Sequence, residues 1–312
     1  MRKILSIDGG GIKGVFPASF LCTIEETTGK KISDYFDLIV GTSTGGIIAL
    51  GLGMGFSAKE LLEFYEQLGP KIFEGNLFLR ALRRIGYSKY SSGPLEKALI
   101  SKFGDSKLGE SKNRLVIPSL NLETGEVHVY KTAHHSKFLT DFKAKTWTVA
   151  LAASAAPTYF PTYESASGIP LVDGGLWANN PVGPAVVEAI GVLNWSRDEI
   201  KVLSIGCTTE PVDIRTAKRK SMGLLSWASP IVDLIMSAQS SASLGTAQLL
   251  VGSANVIRIS PPVPKGKYKL DDISGIVSLK GLGESEARKA MSHLGVFFTE
   301  EAESFIPIHK LA

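Results

Sequence analysis

The sequence predicts an α/β protein, a three-layer sandwich around a mostly parallel central sheet. Short apolar runs at 3–7, 36–40 and 201–206 have the length and composition of buried strands. Longer segments with helical apolar spacing alternate with these runs, and such alternation is typical of parallel sheets covered by helices. With 312 residues, of which 44% are hydrophobic, the chain can bury a sizeable core.

Local signals justify the remaining elements in order. Ser57-Ala58-Lys59-Glu60 resembles a capping box, and Pro94 suits the first turn of a helix. Glu123-Thr124-Gly125 separates two strand-like runs and predicts a hairpin. Helices are expected at 15–28, about 57–73, from 93 onward, 146–156, 181–190, 224–250 and 283–303. Further strands are expected at 114–122, 126–132, 169–172 and 255–260.

Charge and composition narrow the classes of function. The net charge of +4 and a pI near 8.9 allow attraction to anionic membrane surfaces, but they do not indicate a DNA or RNA partner. Cys22 and Cys207 have neither metal nor redox spacing. With no signal-peptide core and no run of about 18 apolar residues, a cytoplasmic protein is expected. We expect one domain over 1–312, in which 211–312 packs on a core of about 1–210.

The most informative stretch is the strand, turn and helix predicted over 36–50. Its turn, Gly41-Thr42-Ser43-Thr44-Gly45, fits the Gly-x-Ser-x-Gly pattern of a nucleophile elbow, where a strained turn projects the serine above the sheet. Gly41 and Gly45 remove side chains where the strand and the helix pack closely. The N–H groups that open the helix favour developing negative charge. The pattern predicts Ser43 as a nucleophile, and an ordinary glycine-rich turn is the alternative.

A second glycine-rich turn, Asp8-Gly9-Gly10-Gly11-Ile12-Lys13-Gly14, allows two interpretations; we call it the glycine loop. It satisfies the Gly-x-Gly-x-x-Gly fingerprint of dinucleotide binding. However, the next strand ends in the serine turn instead of the acidic residue that such a site requires, and the Walker lysine is absent after Gly14. The other interpretation is an oxyanion hole, in which bare N–H groups converge on one oxygen and Lys13 adds positive charge. Its donors would be Gly9, Gly10 and Gly11.

A serine nucleophile needs a base, and the five histidines are weak candidates. No histidine ends an apolar strand in a turn that would aim it at Ser43. The five histidines are His128, His134, His135, His293 and His309. Asp173 is the stronger candidate, because it ends a short apolar strand and precedes Gly174-Gly175, a turn suited to close approach. A carboxylate can act as the base when it is held on the serine hydroxyl in a partly dry pocket. The alternative role for Asp173 is turn formation.

Taken in chain order, these motifs resemble the patatin-like phospholipase family. The glycine loop, the serine turn and Asp173-Gly174-Gly175 carry the resemblance, which covers 1–191 well and continues less clearly to about 260. Ala153–Pro161 resembles the small-residue block before the aspartate, and Asn179-Asn180-Pro181 resembles the segment after it. Lys13 stands where many members have arginine, which keeps the charge.

The resemblance implies hydrolysis of membrane phospholipid esters, of the phospholipase A type, by a Ser43–Asp173 dyad without histidine, metal or cofactor. Ser43 would attack the ester carbonyl while Asp173 takes its proton. The N–H groups of the glycine loop and of Thr44 would hold the oxyanion, and a water activated by Asp173 would cleave the acyl-enzyme. The supporting motif residues are Lys13, Gly14, Gly41, Gly45, Gly174 and Gly175.

A narrower resemblance is to bacterial patatin-like effectors of anti-phage defence, which cyclic dinucleotides activate. The run Ile39–Leu52 and the pair Phe64-Tyr65 carry it. Leucines beside basic residues in 76–93 suit a lid, a peripheral membrane contact or a site for an anionic activator, although a basic surface helix is the alternative. Those basic residues are Arg80, Arg83, Arg84 and Lys89. A basic and aromatic stretch at 215–227 is another candidate membrane contact, and a homo-oligomer stays open.

Two other classes of function stay open from the sequence alone. One is a nucleotide-binding Rossmann-type module, which the missing acidic residue and the serine turn weaken. The other is a non-catalytic storage or scaffold relative, because plant patatins also serve as storage proteins. The presence of Ser43 and Asp173 argues against that role, and labelling with a fluorophosphonate would separate an active enzyme from either alternative.

Overall fold

A computed structural model describes residues 1–73, 87–211 and 230–311. Within these ranges, eight strands form one sheet: β1 Arg2–Ile7, β2 Leu38–Gly41, β3 Arg114–Asn121, β4 Val127–Lys131, β5 Tyr163–Glu164, β6 Pro170–Asp173, β7 Ile200–Ile205 and β8 Val256–Ile259. The helices are α1 Val15–Thr28, α2 Thr44–Gly53, α3 Ala58–Phe73, α4 Gly93–Phe103, α5 Thr146–Ala153, α6 Gly175–Ala178, α7 Val182–Gly191, α8 Pro230–Val251 and α9 Ile276–Phe298. None of these helices is both long and apolar enough to cross a membrane.

The centre of the sheet is parallel, as the sequence predicts. The strand order is β5-β6-β3-β2-β1-β7-β8, and β4 also pairs with β3. The neighbours β3, β2, β1, β7 and β8 run parallel, with Ile4 beside Leu38 on one side and Val202 on the other. The pairs of β4, β5 and β6 are antiparallel. The carboxyl ends of β1, β2 and β7 therefore meet at one edge, where ligands bind in open α/β sheets.

Helices cover both faces of the sheet, which confirms the three layers. Side chains alternate along β1, so Leu5 and Ile7 enter one core while Ile4 enters the other. The larger core also contains Phe16 of α1 and Phe297 of α9. The smaller core contains side chains of α7 and α8. The strands in the middle of the sheet are consequently apolar on both faces, which explains their continuous apolar runs.

Most predicted elements are present, with shifted ends. The capping box is confirmed, since the Glu60 N–H donates to Ser57 Oγ and the Ser57 N–H donates to the Glu60 carboxylate. The helix expected at 283–303 spans Ile276–Phe298 instead. The glycines in its first turns weaken the helical pattern in the sequence. Gly283 lies inside the helix, where a Cβ would come within 2.6 Å of the Phe16 carbonyl oxygen. That glycine lets α9 pack closely on α1.

One short strand was not predicted, and two predicted segments lie outside the described residues. The two-residue strand β5 was not predicted, because it is too short to give an alternating pattern. The proposed lid residues at 76–86 and the candidate membrane contact at 215–227 lie outside the described residues. The division of the chain into one domain with a core of about 1–210 stays a prediction.

Candidate active site

The turn between β2 and α2 has the strained geometry of an elbow. Ser43 lies at φ 55° and ψ −120°, a conformation that residues with side chains rarely adopt. A Cβ on Gly41 would lie 2.1 Å from the Gly45 carbonyl oxygen, and one on Gly45 would lie 2.3 Å from that of Ile7. Only glycine fits at these two positions. The Ser43 side chain is partly exposed, whereas its neighbours Thr42 and Thr44 are buried.

Asp173 lies at the end of β6 and contacts the serine. Its side chain is buried, with 5% of the residue exposed, and its carboxylate lies within interaction range of the Ser43 side chain, which acts to lower its pKa. The Gly175 N–H donates to Oδ1 at 2.7 Å, and the Asp173 N–H donates to the Ala155 carbonyl. Burial raises the pKa of Asp173 to about 6, against the lowering effects of the Ser43 side chain and the Gly175 hydrogen bond. A carboxylate with this pKa is a stronger base than an exposed aspartate and is still ionised at neutral pH.

The glycine loop adjoins the serine through Gly9. A Cβ on Gly9 would lie 3.1 Å from Ser43 Cβ and 2.4 Å from Asn179 Oδ1, so the loop and the elbow touch. The Gly9 N–H donates to the Asn179 carbonyl at 3.0 Å, and Asn179 Nδ2 donates back to the Gly9 carbonyl at 3.4 Å. The Gly9 N–H is therefore occupied. This differs from the sequence prediction, which included Gly9 among the oxyanion donors.

Several other backbone N–H groups at this edge have no hydrogen-bond acceptor among the described residues. Those of Gly10, Gly11 and Thr44 are among them, and the sequence predicts these three as oxyanion donors. The loop turns at Gly11, which has φ +57°, and a Cβ there would lie 2.2 Å from the Leu270 carbonyl oxygen. That carbonyl accepts the next N–H, of Ile12, at 2.8 Å. Unpaired N–H groups beside a nucleophile are the donors that an oxyanion hole requires.

Buried hydrogen bonds fix the remaining parts of the elbow. Thr44 Oγ1 donates to the Tyr65 hydroxyl at 2.6 Å, which in turn donates to the Thr44 carbonyl at 2.9 Å. A Cβ on Gly14 would lie 2.4 Å from Thr44 Oγ1, so this glycine allows the loop to approach α2. Thr42 Oγ1 donates to the Ala178 carbonyl at 2.6 Å and ties the elbow to α6. Likewise, a Cβ on Gly174 would lie 2.4 Å from the Pro118 carbonyl oxygen.

The histidines are engaged elsewhere. His134 is buried, with its ring nitrogens 2.8 Å from Thr132 Oγ1 and 2.9 Å from Glu188 Oε1, and burial lowers its pKa. His309 bonds to the Ser136 carbonyl. In the described ranges, which include all five histidines, no histidine hydrogen bond involves Ser43 or Asp173. No group of three or more His, Cys, Asp or Glu there is arranged to hold a metal ion.

The predicted basic residues lie in different situations. Lys13 is half-buried. Burial raises the pKa of both Asp8 and Cys207, and the nearby Lys13 charge opposes that rise. Lys89 forms an ion pair with Asp271, which also accepts from the Tyr90 hydroxyl at 2.6 Å. An anionic ligand at Lys89 would have to compete with that carboxylate. Arg80, Arg83 and Arg84 lie outside the described residues.

Sequence reasoning did not assign a role to two residues that hold the loop. Asn179 was noticed only as part of a resembling segment, and Leu270 gave no signal. Both act through backbone carbonyls that accept N–H groups of the glycine loop. Backbone acceptors leave no residue-type pattern, so only the fold could reveal them.

An α/β sheet with a strained serine turn at the carboxyl edge of its parallel strands defines a hydrolytic enzyme of the serine type. The patatin-like phospholipase family model matches residues 5–186, more than half of the chain. The chain belongs to that family and is a lipid ester hydrolase. This match does not favour the nucleotide-binding or storage alternatives.

Named relatives extend the match beyond the family region. The chain is 33% identical over 298 residues to a cGAMP-activated phospholipase of Pseudomonas aeruginosa, covering 92% of this chain and 88% of that protein. It is 39% identical over 237 residues to a cGAMP-activated phospholipase of Vibrio cholerae, covering 67% of this chain and 64% of that protein. The match therefore spans less than two thirds of the Vibrio protein. Patatin-like protein 2 of Arabidopsis thaliana is 29% identical over 333 residues, covering 90% of this chain and 81% of that protein.

Proposed function

We propose that the chain cleaves membrane phospholipid esters through Ser43 and Asp173. The observation that carries this proposal is the proximity of a strained, partly exposed serine to a buried carboxylate whose pKa is raised. As Ser43 Oγ attacks the ester carbonyl, its proton passes to Asp173 and a tetrahedral oxyanion forms. Asp173 then gives that proton to the lysophospholipid oxygen as the ester C–O bond breaks, which leaves the acyl-enzyme.

The second half of the reaction uses the same groups. Asp173 takes a proton from water, the resulting hydroxide attacks the acyl-enzyme, and Ser43 recovers its proton as the fatty acid leaves. The oxyanion of both steps is held by the N–H groups of Gly10, Gly11 and Thr44, each worth about 3–4 kcal/mol in the transition state. Gly9 donates no hydrogen bond to the oxyanion; its two hydrogen bonds with Asn179 hold the loop in place.

Fatty acid release from phospholipid vesicles tests this function. We expect Ser43→Ala to reduce release to background while the folded structure persists, because no other nucleophile among the described residues contacts Asp173. Ser278→Ala, a change of the same type in α9, serves as the matched control and should retain wild-type turnover. Release by Ser43→Ala at the wild-type rate would assign the chemistry to another residue.

We propose that a cyclic dinucleotide activates the enzyme and that the activated enzyme serves in antiviral defence. The support is the naming of the Pseudomonas and Vibrio relatives as cGAMP-activated phospholipases. Arg80, Arg83 and Arg84 are the basic residues that the sequence offers for a phosphate-bearing ligand. A tenfold activation needs only about 1.4 kcal/mol of preference for the active state.

Turnover measured with cyclic GMP–AMP, cyclic di-GMP and no ligand tests the activation. Cyclic GMP–AMP should raise the rate, and replacing the three arginines by glutamine should reduce the response while Ser43 still reacts with a fluorophosphonate. Equal rates across the panel would leave an enzyme that is always active, and the proposed catalytic pair would be unaffected.

We propose that the enzyme contacts the membrane peripherally through one face of α8. Gln239 ties this helix to α6, because its side chain accepts from the Asn179 N–H and donates to the Leu176 carbonyl. Val232 and Ile235 continue the same face at helical spacing and are 61% and 52% exposed, and Leu176 is 46% exposed. Leu176 follows Asp173 by three residues, and exposed apolar area of this kind favours insertion at a lipid interface.

Vesicle co-sedimentation tests this surface. Replacing Val232 and Ile235 by aspartate should reduce binding to phosphatidylglycerol vesicles at least tenfold and leave hydrolysis of a short water-soluble ester unchanged. Val277→Asp on α9, on the other side of the sheet and 82% exposed, is the control. Unchanged binding of the double variant would exclude this face. Binding that is equal on neutral vesicles would remove the electrostatic contribution predicted from the arginines.

A further inference from the structure

A mostly buried ion pair joins Arg258 to Asp8, the first residue of the glycine loop. Arg258 of β8 donates from Nη1 to Asp8 Oδ1 at 2.7 Å and from Nη2 to Asp8 Oδ2 at 2.5 Å. Nη1 also donates to Ser204 Oγ at 2.8 Å. The side chains of Arg258 and Asp8 are 18% and 7% exposed. Two parallel hydrogen bonds between guanidinium and carboxylate fix the orientation of both groups, which a single contact cannot do.

Asp8 is the residue at which β1 becomes the glycine loop, and every polar group it has is held. Its N–H donates to the Ile205 carbonyl at 2.9 Å, and its carbonyl accepts from the Cys207 thiol at 3.7 Å. Its carboxylate is held by Arg258. The next residue is Gly9, which touches Ser43, and the two after it provide the unpaired N–H groups. The position of Asp8 therefore determines where the loop starts.

The backbone around the pair is shaped to admit the guanidinium. A Cβ on Gly206 would lie 2.7 Å from Arg258 Nη2 and 2.5 Å from Ser260 Oγ. Glycine at this position leaves the space that Arg258 needs to reach Asp8. A buried ion pair often adds little net stability, because removing both charges from water offsets their attraction. The fixed orientation of the Arg258 guanidinium and the Asp8 carboxylate is better explained by a role in positioning the backbone at Asp8.

We propose that Arg258 is a positioning residue for the oxyanion hole. By holding the Asp8 carboxylate in a bidentate pair, it fixes the start of the glycine loop and so the N–H groups of Gly10 and Gly11. The inference rests on the proposed function of these donors. It also extends the site beyond the family-matched region 5–186, because Arg258 belongs to the part of the chain that follows it.

Steady-state kinetics of Arg258→Lys on a water-soluble ester test the proposal. Lysine keeps the charge but cannot make two parallel hydrogen bonds, so kcat per active enzyme should fall about tenfold while KM stays within twofold. The rate of Ser43 labelling by a fluorophosphonate should fall in parallel, and its final extent gives the amount of active enzyme. Arg288→Lys, on the exposed side of α9, is the matched control and should change neither value.

A double-mutant cycle separates positioning from general stability. If Arg258 acts through Asp8, then Asp8→Asn and Arg258→Lys together should be no slower than the slower single variant, because the second change removes nothing further. Fully additive losses, or an unchanged kcat per active enzyme in Arg258→Lys, would overturn the inference. The proposed function fails separately, if the wild-type protein itself releases no fatty acid and takes up no label.

Discussion

At the scale of the residue, Asp173 combines two properties that pull in opposite directions. The base must be ionised to accept the Ser43 proton, yet burial raises its pKa to about 6. We therefore expect kcat/KM to fall as the pH decreases through about 6, two units above the range of an exposed aspartate. A pH–rate profile on a water-soluble ester measures this directly. An acid limb near pH 4 would mean that Asp173 is not the group that titrates.

Ionised Asp173 should also lower the free energy of unfolding at pH values above its folded-state pKa. Because the folded pKa of Asp173 is raised, the folded state binds the proton more tightly than the unfolded state between pH 4 and 6, and stability falls as the pH rises through that window. The full cost, on the order of 3 kcal/mol, is present at pH 8. Asp173→Asn should therefore raise the free energy of unfolding at pH 8 and leave it nearly unchanged at pH 4. Urea denaturation at the two pH values checks this, and equal effects at both would contradict it.

At the scale of the element, two glycines of α9 distinguish helix propensity from packing. Gly281 has open space around it, whereas a Cβ on Gly283 would lie 2.6 Å from the Phe16 carbonyl oxygen of α1. Gly281→Ala should stabilise the protein by about 0.5–1 kcal/mol, because alanine loses less backbone entropy on folding. Gly283→Ala should destabilise it by more than that gain, because α9 must move away from α1. Urea denaturation measures both, and equal effects would show that α9 does not pack on α1 as described.

Elements were predictable where the signal is local. Ser57 and Glu60 mark the start of α3 within four residues, and the Gly-x-Ser-x-Gly turn marks the junction of β2 and α2. The start of α9 was misplaced because propensity counts Gly281 as a break, whereas the helix runs through both Gly281 and Gly283 and packs Gly283 on α1. Tertiary contact overrode the local preference.

At the scale of the whole molecule, the site is assembled from parts that are distant in the sequence. The serine turn and Asp173 were predicted as a pair because each has its own local turn. Their contact depends on β6 pairing with β3, which pairs in turn with β2. Asn179, Arg258 and Leu270 hold the glycine loop by contacts across 170, 250 and 258 positions of the chain. Such contacts carry no signal in a single sequence, because nothing near Arg258 indicates that β8 pairs with β7 and so lies one strand away from β1.

The central claim is that Asp173, and no histidine, activates Ser43. The most direct test is the rate at which a fluorophosphonate labels Ser43 at pH 8, with the modified peptide identified by mass spectrometry. We expect the label on Ser43 in the wild type and in His134→Gln at similar rates, and labelling at least 100-fold slower in Asp173→Asn, since an amide cannot take the serine proton. A label on another residue, or Asp173→Asn labelled as fast as the wild type, would contradict the account.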